Sequence, residues 1–336
     1  MFAKHFRSAV AGVMLAAFAG LPQSAALAQS RQLSFAYDQP KTSGYGAGAE
    51  IFNTKLMELS KGTLSINQYP GAQLGTEAQT LQKVQTGDID LVLISTANAS
   101  TAQPESGVFS IHFLFRDENH LAHALADPQV SSAFKEMMNS KVQGARVLAL
   151  ATLGLRYMYC KSKEIQKAES LKGLKVRVQA TKTEDTMFPA YGAQVVHMPF
   201  GDVYTSLQTG VVDVAENGIN VYASNKHYEV APIMSLSEHE ANNNCIWVSD
   251  KAWNSFTDEQ KGWVQAAADE VNKLEPTRAF ELEHESMGKL EKMGVKFVKD
   301  VDKSGFTKAA EPIQDKIAGD LGPHATELLK LVRSVQ

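Results

Sequence analysis

The sequence predicts an α/β protein built as two similar lobes, and three observations carry that prediction. Strand-like and helix-like segments alternate from residue 33 to 94, and the same grammar returns from 174 to 215. Both runs contain one six-residue echo at the same point, Gln85-Thr86-Gly87-Asp88-Ile89-Asp90 and Gln208-Thr209-Gly210-Val211-Val212-Asp213. In the C-terminal third, a helical pattern starting at Thr257 is too long for one lobe.

In the first run, residues 33–37 alternate as a strand does, and residues 44–61 place Ala47, Ile51, Phe52, Leu56 and Leu59 at helical spacing. Ser60-Lys61-Gly62 ends that helix. Strand Leu64–Ile66, helix Glu77–Thr86 and strand Ile89–Ile94 follow. The second run reads as strand Leu174–Val178, helix Thr183–Tyr191, strand Gln194–His197, helix Phe200–Thr209 and strand Val211–Ala215. In each echo the glycine stops a helix and the aspartate enters the next strand. Such alternation implies a largely parallel sheet. Thr257-Asp258-Glu259-Gln260 is a capping box, and Trp263, Ala267, Val271, Leu274, Phe280, Leu282, Met287 and Leu290 continue its helix towards Gly294. Pro276 is expected to kink or interrupt it. No linker stands out, so short strand-like hinges are expected to cross between the lobes.

The first residues belong to neither lobe. Lys4 and Arg7 precede the apolar run Ala9–Leu21, which is too short to span a bilayer, and Ala26-Leu27-Ala28 is a small-x-small cleavage pattern. Residues 1–28 therefore read as a signal peptide cleaved after Ala28, which places the mature chain in the periplasm. No cysteine follows the run to carry a lipid, and nothing later is long and apolar enough for a transmembrane helix. The formal net charge of the whole chain is −4, and export removes Lys4 and Arg7. Scattered charge with an acidic balance excludes nucleic acid as a partner. Cys160 and Cys245 could pair in an oxidising compartment or stay as buried thiols, and the sequence leaves both open.

Enzyme signatures are absent. The chain has no G-x-S-x-G, Walker loop, G-x-G-x-x-G or H-E-x-x-H, and neither His239-Glu240 nor His284-Glu285 has the second histidine of a zinc motif. No catalytic residue, metal or cofactor is expected. The leading candidate for chemistry is Arg177, one charge in the apolar strand Leu174–Val178, where a guanidinium needs an anionic partner that a carboxylate can supply through two bonds. A structural salt bridge would fit the same pattern. Arg156 lies among strand-like apolar residues, and Asn217 follows a strand end, where ligands of α/β sheets sit. Glu77 opens a helix, and Glu238-His239 either faces a pocket or caps a turn. Phe109, Phe113 and Phe115 read as core.

Three segments resemble a known family. They are Asn67-Gln68-Tyr69-Pro70-Gly71-Ala72-Gln73-Leu74-Gly75-Thr76-Glu77, Leu171-Lys172-Gly173-Leu174-Lys175-Val176-Arg177-Val178, and Met198-Pro199-Phe200-Gly201-Asp202-Val203-Tyr204 running through Asp213 to Glu216-Asn217. In this order they resemble the solute-binding proteins of TRAP (tripartite ATP-independent periplasmic) transporters, over essentially the whole chain after the signal. The resemblance implies a two-lobed clamshell with a long C-terminal helix spanning both lobes. Lobe I would be 29–153 with 243–282, and lobe II 154–242 with 283–336. It gives Arg177 the carboxylate, Arg156 the place of a second arginine, and Asn217 a pocket position. Glu77, Glu238 and His239 match positions that meet the distal part of the ligand. Sugar-acid binders often carry a histidine in the loop after the first strand. Here that loop is Asp38-Gln39-Pro40-Lys41, and Lys41 is the candidate reader of distal hydroxyls. The expected function is a monomeric, non-enzymatic binding protein that closes on a small organic acid (a 2-oxo acid, 2-hydroxy acid or sugar acid) and hands it to membrane permease subunits. The rival readings are a C4-dicarboxylate binder, the binding component of an ATP-driven importer, and a periplasmic hydrolase or lyase.

Overall fold

The computed structural model describes residues 30–336, so the signal segment and its cleavage site lie outside the described residues. Among the described residues, nine strands join in one sheet. These are β1 (Arg31–Ala36), β2 (Leu64–Tyr69), β3 (Leu91–Ser95), β4 (Ala145–Cys160), β5 (Lys175–Val178), β6 (Gln194–His197), β7 (Val214–Asn217), β8 (Ile233–Ser249) and β9 (Lys296–Val298). Their order is β2-β1-β3-β8-β4-β7-β5-β6, with β9 also on β8.

The sheet is mixed where the sequence suggested a largely parallel one. β1 pairs parallel with β2 and β3, β5 with β6 and β7, and β9 with β8, but β8 and β4 run antiparallel to each other and to β3 and β7. β3 shows why such strands read as continuous apolar runs. Leu91 and Leu93 enter one hydrophobic core while Val92 and Ile94 enter the other, so both faces are covered.

The two halves are joined by more than short hinges. β4 and β8 are 16 and 17 residues long and pair with each other from Ala145–Ser249 to Cys160–Ile233. β3 sits on one end of this pair and β7 on the other. The ladder slips between Thr152 and Leu155, where Gly154 takes φ +93°, a conformation that a side chain would strain. Cys160 and Cys245 are both free and buried. Cys245 lies opposite Leu150, ten residues along β4 from Cys160. At about 3.3 Å per residue that separation is on the order of 30 Å, far beyond a disulfide's reach.

The C-terminal helix runs from Asp258 to Lys292, opened by the Thr257/Gln260 capping box. It packs along the helix Gly44–Leu59 and β4, then on the short helix Ile219–Ser224, and so spans both halves. Pro276 lies inside it and is buried, and the helix continues through without interruption. Proline removes one intrahelical bond, and packing along both halves holds the remaining turns. Two buried carboxylates of this helix grip the crossing region. Glu275 accepts the Thr152 N–H at 2.7 Å, and Glu283 accepts those of Ile219 and Asn220 at 2.6 and 2.8 Å. The helices Ser304–Leu321 and Pro323–Ser334 then pack back on Pro128–Lys141 and Glu184–Ala190. No helix among the described residues is long and apolar enough to cross a membrane.

Candidate functional site

A narrow cavity opens where the parallel strands end, the usual place for a ligand in an α/β sheet. Asp38 follows β1, Asn98 follows β3, Gln179 follows β5 and Phe200 follows β6. Arg156 on β4, Arg177 on β5, Asn217 at the end of β7 and Asn242 on β8 complete one side, with Tyr45 and Glu77 opposite. The atom-free space is about 270 Å³, of which only about 20 Å³ admits the centre of a water molecule. The side chains stand close together, as in a closed state.

Arg177 is buried, and its Nε and Nη2 both donate to the Met198 carbonyl, at 3.2 and 2.9 Å. No carboxylate lies within ion-pair distance of it among the described residues, and Phe200 packs 5.8 Å from the guanidinium. Burial pushes this guanidinium below its ordinary range, with Glu216 partly opposing and Arg156 adding to the effect. It is a buried cation short of an anion, which carbonyl bonds alone do not supply.

Arg156 is the opposite case. Its Nε and Nη2 clasp Glu216 in bidentate fashion, the second bond at 2.6 Å, and Nε lies 3.2 Å from Glu240. Burial opposes its charge, but Glu216 and Glu240 more than offset this and hold it above its ordinary range. Register explains the pairing, since β4 places Arg156 opposite Glu240 and beside β7, which carries Glu216. Its Nη1 is buried and has no hydrogen-bond partner among the described residues.

Asn217 Oδ1 accepts from Asn242 at 2.7 Å and from the Gly218 N–H at 2.9 Å, which leaves its Nδ2 as a donor at the cavity wall. Glu77 accepts four bonds, from Tyr45 Oη, the Ser95 N–H, Ser95 Oγ and Asn98 Nδ2, at 2.6–3.1 Å. Its lone pairs are committed, so it acts on the cavity through charge and by fixing Tyr45 and Asn98. Asn98 also accepts the Ala180 N–H at 3.0 Å, and Gln39 accepts from Asn225 at 2.9 Å. Both bonds tie the β1–β3 side to the β5–β7 side.

The structure thus brings together Arg177, Arg156, Asn217 and Glu77, and places three other candidates elsewhere. Lys41 is exposed and outside the cavity lining. The turn that carries it is closed by the Ser43 N–H on the Pro40 carbonyl and packs against Gly46, where a Cβ would lie 1.9 Å from the Lys41 oxygen. Glu238, at φ +46°, points away from the cavity and pairs with Lys303. His239 is fully buried behind Arg156, its Nδ1 bonded to Ser237 and its Nε2 3.9 Å from Glu216. Burial, His112 and Arg156 push its pKa far down, which favours the neutral ring. His112, His239 and Glu240 bring potential metal ligands within 4.8 Å of one another, but Arg156 already holds that carboxylate.

Asp38, three residues before Lys41, lines the cavity instead. β1 ends at Ala36, so Asp38 is the acid just beyond a strand end, the same signal that marked Asn217. Tyr45, Asn98, Gln179 and Asn242 also line the cavity, with no sequence pattern to single them out.

A two-lobed α/β clamshell with a tight, charged cavity at its strand ends is the architecture of a periplasmic solute-binding protein. Residues 35–320 match the bacterial extracellular solute-binding proteins, family 7. The chain belongs to this family, which provides the binding components of TRAP transporters. It is 29% identical over 331 residues to the 2,3-diketo-L-gulonate-binding periplasmic protein of Escherichia coli strain K12, covering 98% of this chain and 99% of that protein. The crystal structure of a TRAP periplasmic solute-binding protein from Xanthobacter autotrophicus Py2 with bound β-D-galacturonate superposes with a TM-score of 0.83 at 31% identity, covering 91% of this chain and 100% of that one. A TRAP binding protein from Polaromonas sp. JS666 bound to D-erythronate gives 0.85 at 29%, covering 91% and 99%.

Proposed function

We propose that this protein captures a sugar acid between its lobes and delivers it to the membrane permease of a TRAP transporter, as an exported monomer without catalysis. The observation that carries the reading is Arg177, a buried guanidinium at the cavity wall that lacks a carboxylate partner. A ligand carboxylate would take its free edge, with Asn217 Nδ2 as a further donor. Arg156, already neutralised by Glu216, shapes the wall beside them. The sugar acids held by the Xanthobacter and Polaromonas relatives favour that class over 2-oxo acids and C4-dicarboxylates. Export after Ala28 and lobes of 29–153 with 243–282 and 154–242 with 283–336 belong to the same proposal, and the ladder slip at Thr152–Leu155 supports that boundary.

The test is mass spectrometry of ligand released by denaturing the purified protein, followed by thermal-shift titration of organic acids. A sugar acid at ~100 times its Kd should stabilise the protein by about 2.7 kcal/mol, and solution scattering should show a smaller radius of gyration with ligand. Tight binding without compaction would place the ligand outside the interlobe cavity.

A further inference from the structure

Four charged side chains line the cavity, Arg156, Arg177, Asp38 and Glu77. Arg156 is neutralised by Glu216, with only its Nη1 left without a bond, so a ligand meets one uncompensated cation and two carboxylates. Neither Asp38 nor Glu77 forms an ion pair among the described residues. The four bonds of Glu77 use its acceptor capacity, whereas Asp38 holds a single side-chain bond, from Gln39 Nε2 to Oδ1 at 2.9 Å. Its second oxygen is the acceptor left for a ligand. Asp38 also lines the wider outer cleft that adjoins the cavity, and Arg177 and Asn217 do not. A ligand anchored by its carboxylate inside therefore points its other end at Asp38. Burial and the charge of Glu77 push the Asp38 carboxyl well above the usual carboxylate range, so this end of the cavity resists further negative charge.

We propose that Asp38, backed by Glu77, sets the ligand class: an acid with one carboxylate for Arg177 and a hydroxyl donor for Asp38, with dicarboxylates turned away. This rests on Arg177 holding the carboxylate. Rejection comes from like charge, because a second carboxylate would face two buried acids with no cation between them, and a site that repels the wrong ligand discriminates more sharply than one that only attracts the right one. A hydroxyl donates to the free Asp38 oxygen instead.

The experiment is calorimetric titration of ligand-free protein with two matched pairs, D-galacturonate against galactarate and D-erythronate against meso-tartrate. Within each pair a second carboxylate replaces the far end. Wild type should prefer the monocarboxylate at least thirtyfold in any pair it binds. Asp38→Asn keeps the shape and removes the charge, and it should cut that ratio at least tenfold, chiefly by tightening the dicarboxylate. A ratio within twofold of wild type in Asp38→Asn, with its melting temperature preserved, overturns the assignment. So does a wild-type preference for a dicarboxylate, or failure to bind either monocarboxylate. Arg177→Met in the same titrations separates the two ideas. If it still binds, the carboxylate-site reading fails whatever Asp38 does. If it loses binding while the Asp38→Asn ratio stays put, only the Asp38 assignment fails.

Discussion

Replacing Arg177 and Arg156 by methionine should push stability in opposite directions, because two fully buried arginines answer to different partners. Arg156 is clasped by Glu216 and approached by Glu240. Arg156→Met leaves both carboxylates buried and unpaired, and breaking a buried pair from one side costs roughly 3–5 kcal/mol. Arg177 has only the Met198 carbonyl, so the empty protein carries its desolvation without an opposing charge. In Arg177→Met that penalty disappears and the apolar stem is kept. The ligand-free variant should melt at or above wild type. Binding should suffer instead. Losing a desolvated charge-assisted contact costs about 2–5 kcal/mol, roughly thirtyfold to several-thousandfold in Kd. Scanning calorimetry of ligand-free wild type and both variants, with titration of one sugar acid, reads both quantities. Arg177→Met melting as low as Arg156→Met, or binding within threefold of wild type, would refute the division of labour.

Burial holds Glu283 up at about 8, against 4.5 for an ordinary glutamate. A raised acid contributes stability that is fully present below pH 4.5 and lost as pH rises through about 8, so Glu283→Gln should remove part of wild type's decline in melting temperature across that window. Parallel profiles for the two proteins would exclude it. Lys41→Ala should change stability by less than about 0.5 kcal/mol and leave the ranking of acids unchanged. A changed ranking would return Lys41 to the cavity. His239→Ala should lower the melting temperature, because it empties the buried space behind the Arg156–Glu216 pair, and a variant as stable as wild type would show that space to be indifferent.

Much of the scaffold was legible because its elements advertise themselves locally. Strand Gln194–His197 falls where the alternation put it, and the Thr257 capping box opens the long helix. The strand of Arg177 is recovered to within one residue at its start. Asn217 was expected just past a strand and is the last residue of β7. The long strands were harder to read. β8 carries Asn242, Asn243 and Asn244, residues with poor strand propensity, and only pairing with β3 and β4 makes a strand of them. Glu216 and Glu240 were invisible as partners of Arg156 because cross-strand register, not sequence distance, unites them. Lys41 and Asp38 share one loop, and a tight turn carries the lysine to solvent while the aspartate stays at the strand end, a local geometry that sequence pattern does not show.

The long pairing of β4 with β8 sets how the two halves are joined. Two loose tethers would let the halves swivel and drift apart, but a laddered ribbon resists shear and yields by bending or twisting where its rungs slip, at Val147–Ala149, Thr152–Leu155 and Arg156–Met158. Opening by such bending would meet an elastic restoring torque. Under the function proposed above, rims that part to admit a ligand would return to the same alignment each time, and the permease would meet one fixed outline whenever the jaws are shut.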